Sequence, residues 1–359
     1  MPAAGRTIAA VGCGCGSLLD VTTRKLSTTD AFVVLDLDDD VPAAGIVRSA
    51  PKVLVDGAGW LARTQTYQFA SFGRRLKGAS AAVNAAPDLR DDAVAALVDE
   101  LAPDLDAGTL LLEPAKGLGP AHVAALRAHD PRPTLWWDHR DDLRAAGVAA
   151  AVAAAVPGEG CRVAIEGFDA AGPALVRALA ERGATVVAVS TASGTKEAPD
   201  GISADVAAEA WTAHDPGMVT ELGGDAASPG SVFAADVDVV VAGSKVGVVD
   251  HEVVPSIRAR AIVPGGALPV TAKALAALRR AEVTVLPDFV TTAGALFAWP
   301  EDGGDLTVDA ARDAAVAAIT EVLAEVADHP SGPLLGACER AEAFLSTWAA
   351  GLPFGRPIA

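Results

Sequence analysis

Gly167 and Gly172 bracket the stretch best suited to chemistry. The turn Gly167-Phe168-Asp169-Ala170-Ala171-Gly172 follows a short apolar run, Val163 to Ile165. It precedes a helical pattern with Leu175, Val176, Leu179 and Ala180 on one face. Gly183 ends that pattern, and a second apolar run, Thr185 to Val189, begins at once. Strand, glycine turn, helix and strand within about thirty residues form the βαβ unit of a dinucleotide-binding fold. The first glycine permits a tight turn, and the last lets helix and strand pack closely. The middle position is usually glycine as well, so that backbone N–H groups at the helix start can approach a diphosphate. Asp169 stands there instead, and its carboxylate repels such a ligand. Its plainer role is to cap the helix that follows.

The other reactive residue types form no second constellation. Cys13-Gly14-Cys15 is too close for an ordinary disulfide and lacks zinc-knuckle spacing, and Cys161 and Cys338 stand alone. Isolated thiols are expected. The six histidines show no paired spacing, so no metal site is expected. A formal net charge of −18 argues against nucleic acid and anionic membranes, because the chain's own field repels phosphate. No apolar run is long enough for a membrane span, and the first residues do not read as a signal peptide. A cytoplasmic protein is expected.

The elements that must position the turn follow from periodicity. At 359 residues the chain has room for two domains. It is 51% apolar but only 4% aromatic, so Ala, Val and Leu must fill the cores. Strands are expected at 7–12, 31–37, 79–84 and 109–112, and helices at 53–76, 91–101 and 121–128. The acidic run Asp36 to Asp40 reads as a solvated loop. Residues 129–142 are rich in turn formers and charges and read as a connection, with Trp136-Trp137 packed under it. A helix at 145–156 leads into the glycine turn. Beyond it come a helix at 203–210, strands at 237–242, 260–263 and 283–286, and helices at 271–280, 308–328 and 334–350. The alternation implies an α/β chain with a mostly parallel, doubly wound sheet over 145–300.

Taken in order, several segments resemble the Glu/Leu/Phe/Val amino-acid dehydrogenase family. They are VAIEGFDAAG with ERGATVVAVSTASG, the run from Asp238 to Trp299, and more weakly VPAAGIVR, TYQFASFGRRLKGASAAVNAAP and EPAKGLG. The resemblance implies an N-terminal α/β oligomerisation and substrate domain over 1–130. It implies a Rossmann-type domain over 140–305 and C-terminal helices, 306–359, that return to the first domain. It also implies NAD or NADP as cofactor, a small amino-acid-like ligand in a cleft between domains, and a homo-oligomer.

The family oxidatively deaminates an L-amino acid to a 2-oxo acid. Such a site needs a cation for the α-carboxylate, a lysine of depressed pKa and a carboxylic acid. At the matching positions this chain has Gln68 for the carboxylate-holding lysine, Ser80 for the catalytic lysine and Gly117 for the catalytic aspartate. On the cofactor side Thr191 replaces the acidic ribose partner. Arg144 replaces the threonine that touches nicotinamide, and Ala267 and Thr292 each replace an asparagine. Gly167, Phe168, Asp169 and Gly172 match the coenzyme turn. Lys77, Lys116, Arg48 and Arg144 are candidates to supply a replacement cation; the plain alternative is surface lysines and an exposed helix-start arginine.

Three functions stay open. One is an amino-acid dehydrogenase-like protein in which ordinary deamination is absent or very slow. Another is an inactive member that binds a ligand or serves a catalytic partner protein. The last is a non-redox enzyme that reuses the cleft on an amino-acid-derived metabolite.

Overall fold

The computed structural model describes residues 21–222, 226–300, 304 and 306–359. The strand expected at 7–12, Cys13 and Cys15 lie outside the described residues. The chain divides into two compact units. One is formed by residues up to Pro131 with Leu345–Pro357. The other is Arg132–Phe344 with Ile358–Ala359.

The first unit is built on a mixed sheet of β1 (Thr22–Lys25), β2 (Ala31–Leu35), β3 (Ala43–Ala50), β4 (Lys77–Asn84) and β5 (Leu110–Pro114), in the order β1-β2-β4-β3-β5. β1 and β2 are antiparallel, as are β2 and β4; β4, β3 and β5 run parallel. Parallel neighbours need crossovers. These are α1 (Val55–Ser71) and α2 (Arg90–Asp106). β3 and β1 were not expected, because Ala43-Ala44-Gly45 and Thr22-Thr23 lack a run of large apolar side chains. Small residues instead let the layers close. A Cβ on Gly78 would lie 1.7 Å from the Ala62 carbonyl of α1, so only glycine allows this approach. The Gly78 amide donates to Thr66 Oγ1 at 2.9 Å. Ala58 and Ala62 of α1 pack on Phe32, Val34 and Ala82. α1 stops at Ser71, before Gly73 at φ 72°, and so is shorter than the 53–76 expected.

Two polar clamps hold this unit. Arg63 and Asp36 are both fully buried, with Nε donating to Oδ1 at 2.6 Å. Arg63 Nη1 also donates to the carbonyls of Phe354 and Gly355, which fastens the C-terminal segment. Burial pushes the Asp36 carboxyl above its usual range, against the pull of the Arg63 guanidinium. Asp36 is therefore not part of a solvated loop, because it is needed to balance Arg63. At the surface, the Glu100 carboxylate of α2 accepts from the amides and hydroxyls of Ser27 and Thr28 and pins the β1–β2 turn.

The second unit holds a six-stranded sheet in the order β11-β10-β9-β6-β7-β8. The strands are β6 (Arg162–Glu166), β7 (Thr185–Thr191), β8 (Gly194–Glu197), β9 (Val239–Ala242), β10 (Ala261–Pro264) and β11 (Thr284–Val285). All neighbours are parallel except β8, which turns back antiparallel on β7. The helices are α3 (Pro120–Arg127, in the first unit), α4 (Thr134–Ala155), α5 (Gly172–Ala180), α6 (Ala204–His214), α7 (Met218–Glu221), α8 (Ala272–Arg280), α9 (Asp288–Thr291), α10 (Val308–Val326) and α11 (Pro333–Leu345).

One expectation is corrected here. Residues 134–142 are the first turns of α4, not a connection. Trp136, Trp137 and Leu143 give them a buried apolar face, and the prolines that suggested a loop, Pro131 and Pro133, end just before the helix. The two indoles meet edge-on at 5.0 Å, with the Arg132 guanidinium 3.6 Å over Trp136. α10 packs on α4 and on the turn Ala293–Ala298, and only Leu345–Pro357 joins the first unit.

Each clamp yields an expected outcome. The hydrogen bonds of Thr28 and Ser27 lower the Glu100 carboxyl from 4.5 to about 2. Its contribution to stability is therefore complete above the unfolded value and is lost as pH falls from about 4.5 towards 2. Melting curves of wild type and Glu100→Gln should differ at pH 7 and converge near pH 2; parallel curves would refute this. Arg63→Met leaves Asp36 and two carbonyls without their partner, and denaturant unfolding should show a loss of about 3–5 kcal/mol.

Candidate functional site

β6 lies mid-sheet, and the chain leaves it first to β7 and β8 on one side, then crosses to β9, β10 and β11 on the other. Loops leaving the carboxyl ends of β6 and β9 therefore part in opposite directions. That is the switch point where α/β sheets bind ligands.

The β6 turn has the backbone geometry its glycines require. Gly167 sits at φ 84°, and a Cβ there would fall 2.7 Å from the backbone nitrogen of Ser244. A Cβ on Gly172 would enter the Phe168 ring at 2.5 Å. Phe168 is buried and meets Trp211 of α6 at 5.9 Å, so the ring fastens the turn to the helix layer.

Most of the turn's amides already have acceptors. Gly167 N and Phe168 N donate to the Ser190 carbonyl at 3.1 and 2.8 Å. Ala171 N donates to Asp169 Oδ1, and Gly172 N to the Asp169 carbonyl, both at 2.9 Å. Pro173 has no N–H. Asp169 thus closes a turn one residue ahead of α5 and does not cap the helix, whose preceding residue, Ala171, is already in helical conformation. The protein around Asp169 raises its carboxyl above the ordinary value, while the Ala171 amide and Arg144 pull it down. The residue lies exposed on the turn. An acidic side chain here, with the Gly167, Phe168, Ala171 and Gly172 amides engaged, does not fit a bound diphosphate.

Glu166, which the sequence analysis passed over, is the polar centre of the switch point. It is buried at the end of β6. Oε2 accepts from the amides of Gly243 and Ser244 at 3.1 Å each, and Oε1 accepts from the Ser244 hydroxyl. The signal available was an acidic residue closing a buried strand. Beyond β9, Gly243 touches Gly266 backbone to backbone; a Cβ on Gly243 would lie 2.4 Å from Gly266 N.

The other residues expected around the cofactor are engaged within the protein. Thr191 is buried, and its hydroxyl donates to the Pro216 carbonyl at 2.5 Å. The β7–β8 hairpin folds at this point, with Thr191 opposite Gly194. Ala267 is partly exposed between Gly266 and Leu268. Leu268 takes a positive φ of 53°, and its amide donates to buried Asp288 Oδ2 at 2.9 Å. Thr292 Oγ1 donates to the Asp288 carbonyl at 2.7 Å. Arg144 donates to Asp141 on its own helix at 3.3 Å.

In the first unit, the expected reactive positions lie on α1, β3, β4 and the segment after β5. Gln68 is half-buried on α1, and Ser80 is fully buried within β4. Lys77 Nζ donates to the Asp39 carbonyl at 2.6 Å. The Lys116 side chain is exposed, and its carbonyl accepts from Ser49 N at 3.0 Å. Gly117, at φ 89°, has no room for a side chain, since a Cβ would lie 2.0 Å from the Ser49 carbonyl. Arg48 differs from the other cations. Its Nε and Nη2 are buried with no acceptor among the described residues. Among the described residues no cluster of His, Cys, Asp or Glu could hold a metal, and no helix is long and apolar enough to cross a membrane.

Comparison with known proteins agrees with this architecture. Residues 139–298 match the family model for glutamate/leucine/phenylalanine/valine dehydrogenase. NAD-specific glutamate dehydrogenase A of Halobacterium salinarum is 32% identical over 144 residues, which cover 39% of this chain and 33% of that protein. NADP-specific glutamate dehydrogenase of Saccharolobus shibatae is 29% identical over 136 residues, 38% of this chain and 32% of that one. The chain thus matches about a third of the length of these relatives. The crystal structure of hetero-hexameric glutamate dehydrogenase from Thermus thermophilus, in its Leu-bound form, superposes with a TM-score of 0.72 at 21% identity. It covers 92% of this chain and 90% of that one. Through its second unit the chain is similar to the Glu/Leu/Phe/Val dehydrogenase family.

The β6 turn allows a direct check. Gly167→Ala should cost about 2 kcal/mol or more in chemical denaturation, because alanine meets both the positive φ and the Ser244 backbone. A loss below about 0.5 kcal/mol would contradict this geometry.

Proposed function

We propose that this chain uses the amino-acid dehydrogenase fold to hold an amino-acid-like ligand, and that NAD(P)-dependent deamination is absent or very slow. The observation that carries this reading is the β6 turn. Asp169 puts an acidic side chain where a diphosphate would lie, and it engages the Ala171 and Gly172 amides. The first unit adds support. Gln68 and Ser80 stand at the positions that resemblance gives to lysines, and Gly117 at the one it gives to aspartate. None of these can act as an acid or base near neutral pH. In this reading the chain is a cytoplasmic homo-oligomer, or the companion of a catalytic partner; the hetero-hexameric Thermus protein gives the latter a parallel. Its domains follow the family's division, near 1–130 and 140–305.

A second reading keeps oxidoreductase activity with a rewired site. It is favoured by Gly167, whose approach to Ser244 preserves the tight turn, and by relatives named as NAD- and NADP-specific enzymes.

Fluorescence titration with NADH and NADPH separates the two. The wild type should show no saturable binding up to millimolar concentration, and Asp169→Gly should gain it. A wild-type Kd below about 100 μM, an affinity of about 5–6 kcal/mol, would overturn the proposal in favour of the redox reading. Unchanged binding in Asp169→Gly would remove Asp169 as its cause.

A further inference from the structure

We propose that the first unit carries a self-association surface at the carboxyl edge of β3 and β4, built on Leu54, Val55 and Leu89 and covered by a second copy of this chain. It shares with the function proposed above only the homo-oligomer; the choice of surface rests on these residues. Seven large apolar side chains are exposed among the described residues, and five of them, Leu54, Val55, Leu89, Leu352 and Phe354, belong to the first unit.

Three of the five stand together. Leu54 is 64% exposed and Leu89 59%. Their loops leave the parallel neighbours β3 and β4, where Ala50 lies opposite Asn84. The Ala85 amide donates to the Ala50 carbonyl at 3.0 Å, and Val53 N donates to Asn84 Oδ1 at 2.7 Å. The two loops are therefore held side by side. Leu54 directly precedes α1 and Leu89 directly precedes α2, and neither side chain caps its helix. Ser, Thr, Asp or Asn is the usual choice there, because a side-chain oxygen satisfies a free amide of the first turn. Two neighbouring helices that open on exposed leucines forgo that cap and present an apolar surface instead.

Charge selects the occupant. The second unit carries fifteen Lys and Arg against thirty Asp and Glu, whereas the first carries thirteen against sixteen. Two copies approaching through their second units repel each other, and through their first units they meet near neutrality. The patch itself mixes signs. Exposed Lys52 lies two residues before Leu54, and exposed Asp88 lies directly before Leu89. A two-fold axis sets such a patch against itself, so that Lys52 of one copy meets Asp88 of the other at the rim of a leucine core.

The test is sedimentation velocity with light scattering on the full chain. The wild type should self-associate between about 1 and 100 μM, and Leu54→Asp and Leu89→Asp should each weaken that association at least about 100-fold. Both variants supply the missing cap, so at a concentration where all are monomeric they should melt at or above the wild-type temperature. Lys52→Asp should weaken association about 10-fold, and adding Asp88→Lys to it should restore the wild-type strength. Val206→Asp, on the exposed face of α6, should leave association unchanged. A wild type still monomeric at about 100 μM would overturn the proposal in favour of a different protein partner. Association unmoved by either leucine variant would overturn it as well. So would a large drop in monomer melting temperature in those variants, since it would show that the chain's own residues cover the patch. NADH titration bears on the proposed function alone and leaves these results standing.

Discussion

The carboxylate of Glu166 ties together the two halves of the second sheet. It ends β6, the strand from which the chain departs in both directions, and it accepts from the first amides beyond β9. A parallel sheet leaves the groups at its carboxyl edge without ladder partners, and buried amides there need an acceptor. In this chain a side chain supplies it. That fixes how far the β9 loop stands from β6, which sets where Gly243 meets Gly266 and where Ser244 closes on Gly167. The glycines at these points follow from the distances imposed, since each approach is backbone on backbone.

Charged groups elsewhere follow the same rule of local settlement. Lys77 is met by the Asp39 carbonyl, Arg144 by Asp141, Arg63 by Asp36 and the C-terminal carbonyls, and Asp169 by the Ala171 amide. Such groups stiffen the frame but have little left to offer a ligand. Arg48 and Arg90 stand apart from this background, since each leaves a buried guanidinium nitrogen without an acceptor among the described residues.

Much of the second unit was legible because its signals are local. The turn at Gly167–Gly172, the apolar run of β7 and the helical face of α5 each declare themselves within a few residues. The rest depends on distant partners. α4 was misread over 134–142 because charges and flanking prolines mark a loop, whereas burial of Trp136 and Trp137 decides for a helix. β3 was missed because Ala43-Ala44-Gly45 makes a good strand only between β4 and β5, where small side chains are wanted. Asp36 read as one more residue of an acidic loop, and nothing near it in sequence points to Arg63. The candidate site divides in the same way. Asp169 was visible as an odd residue in a pattern, but the role of Glu166 required knowing that β9 lies beside β6.

The hold of Arg63 on Phe354 and Gly355 joins residues 291 and 292 positions apart. During synthesis the sheet of the first unit is complete in sequence once β5 has emerged, while its buried guanidinium still waits for two carbonyls made near the end of the chain. The first unit therefore closes only after Arg132–Phe344 of the second has been made. Through that interval a nascent chain carries an arginine with two of its three partners missing, which gives chaperones a defined period in which to act.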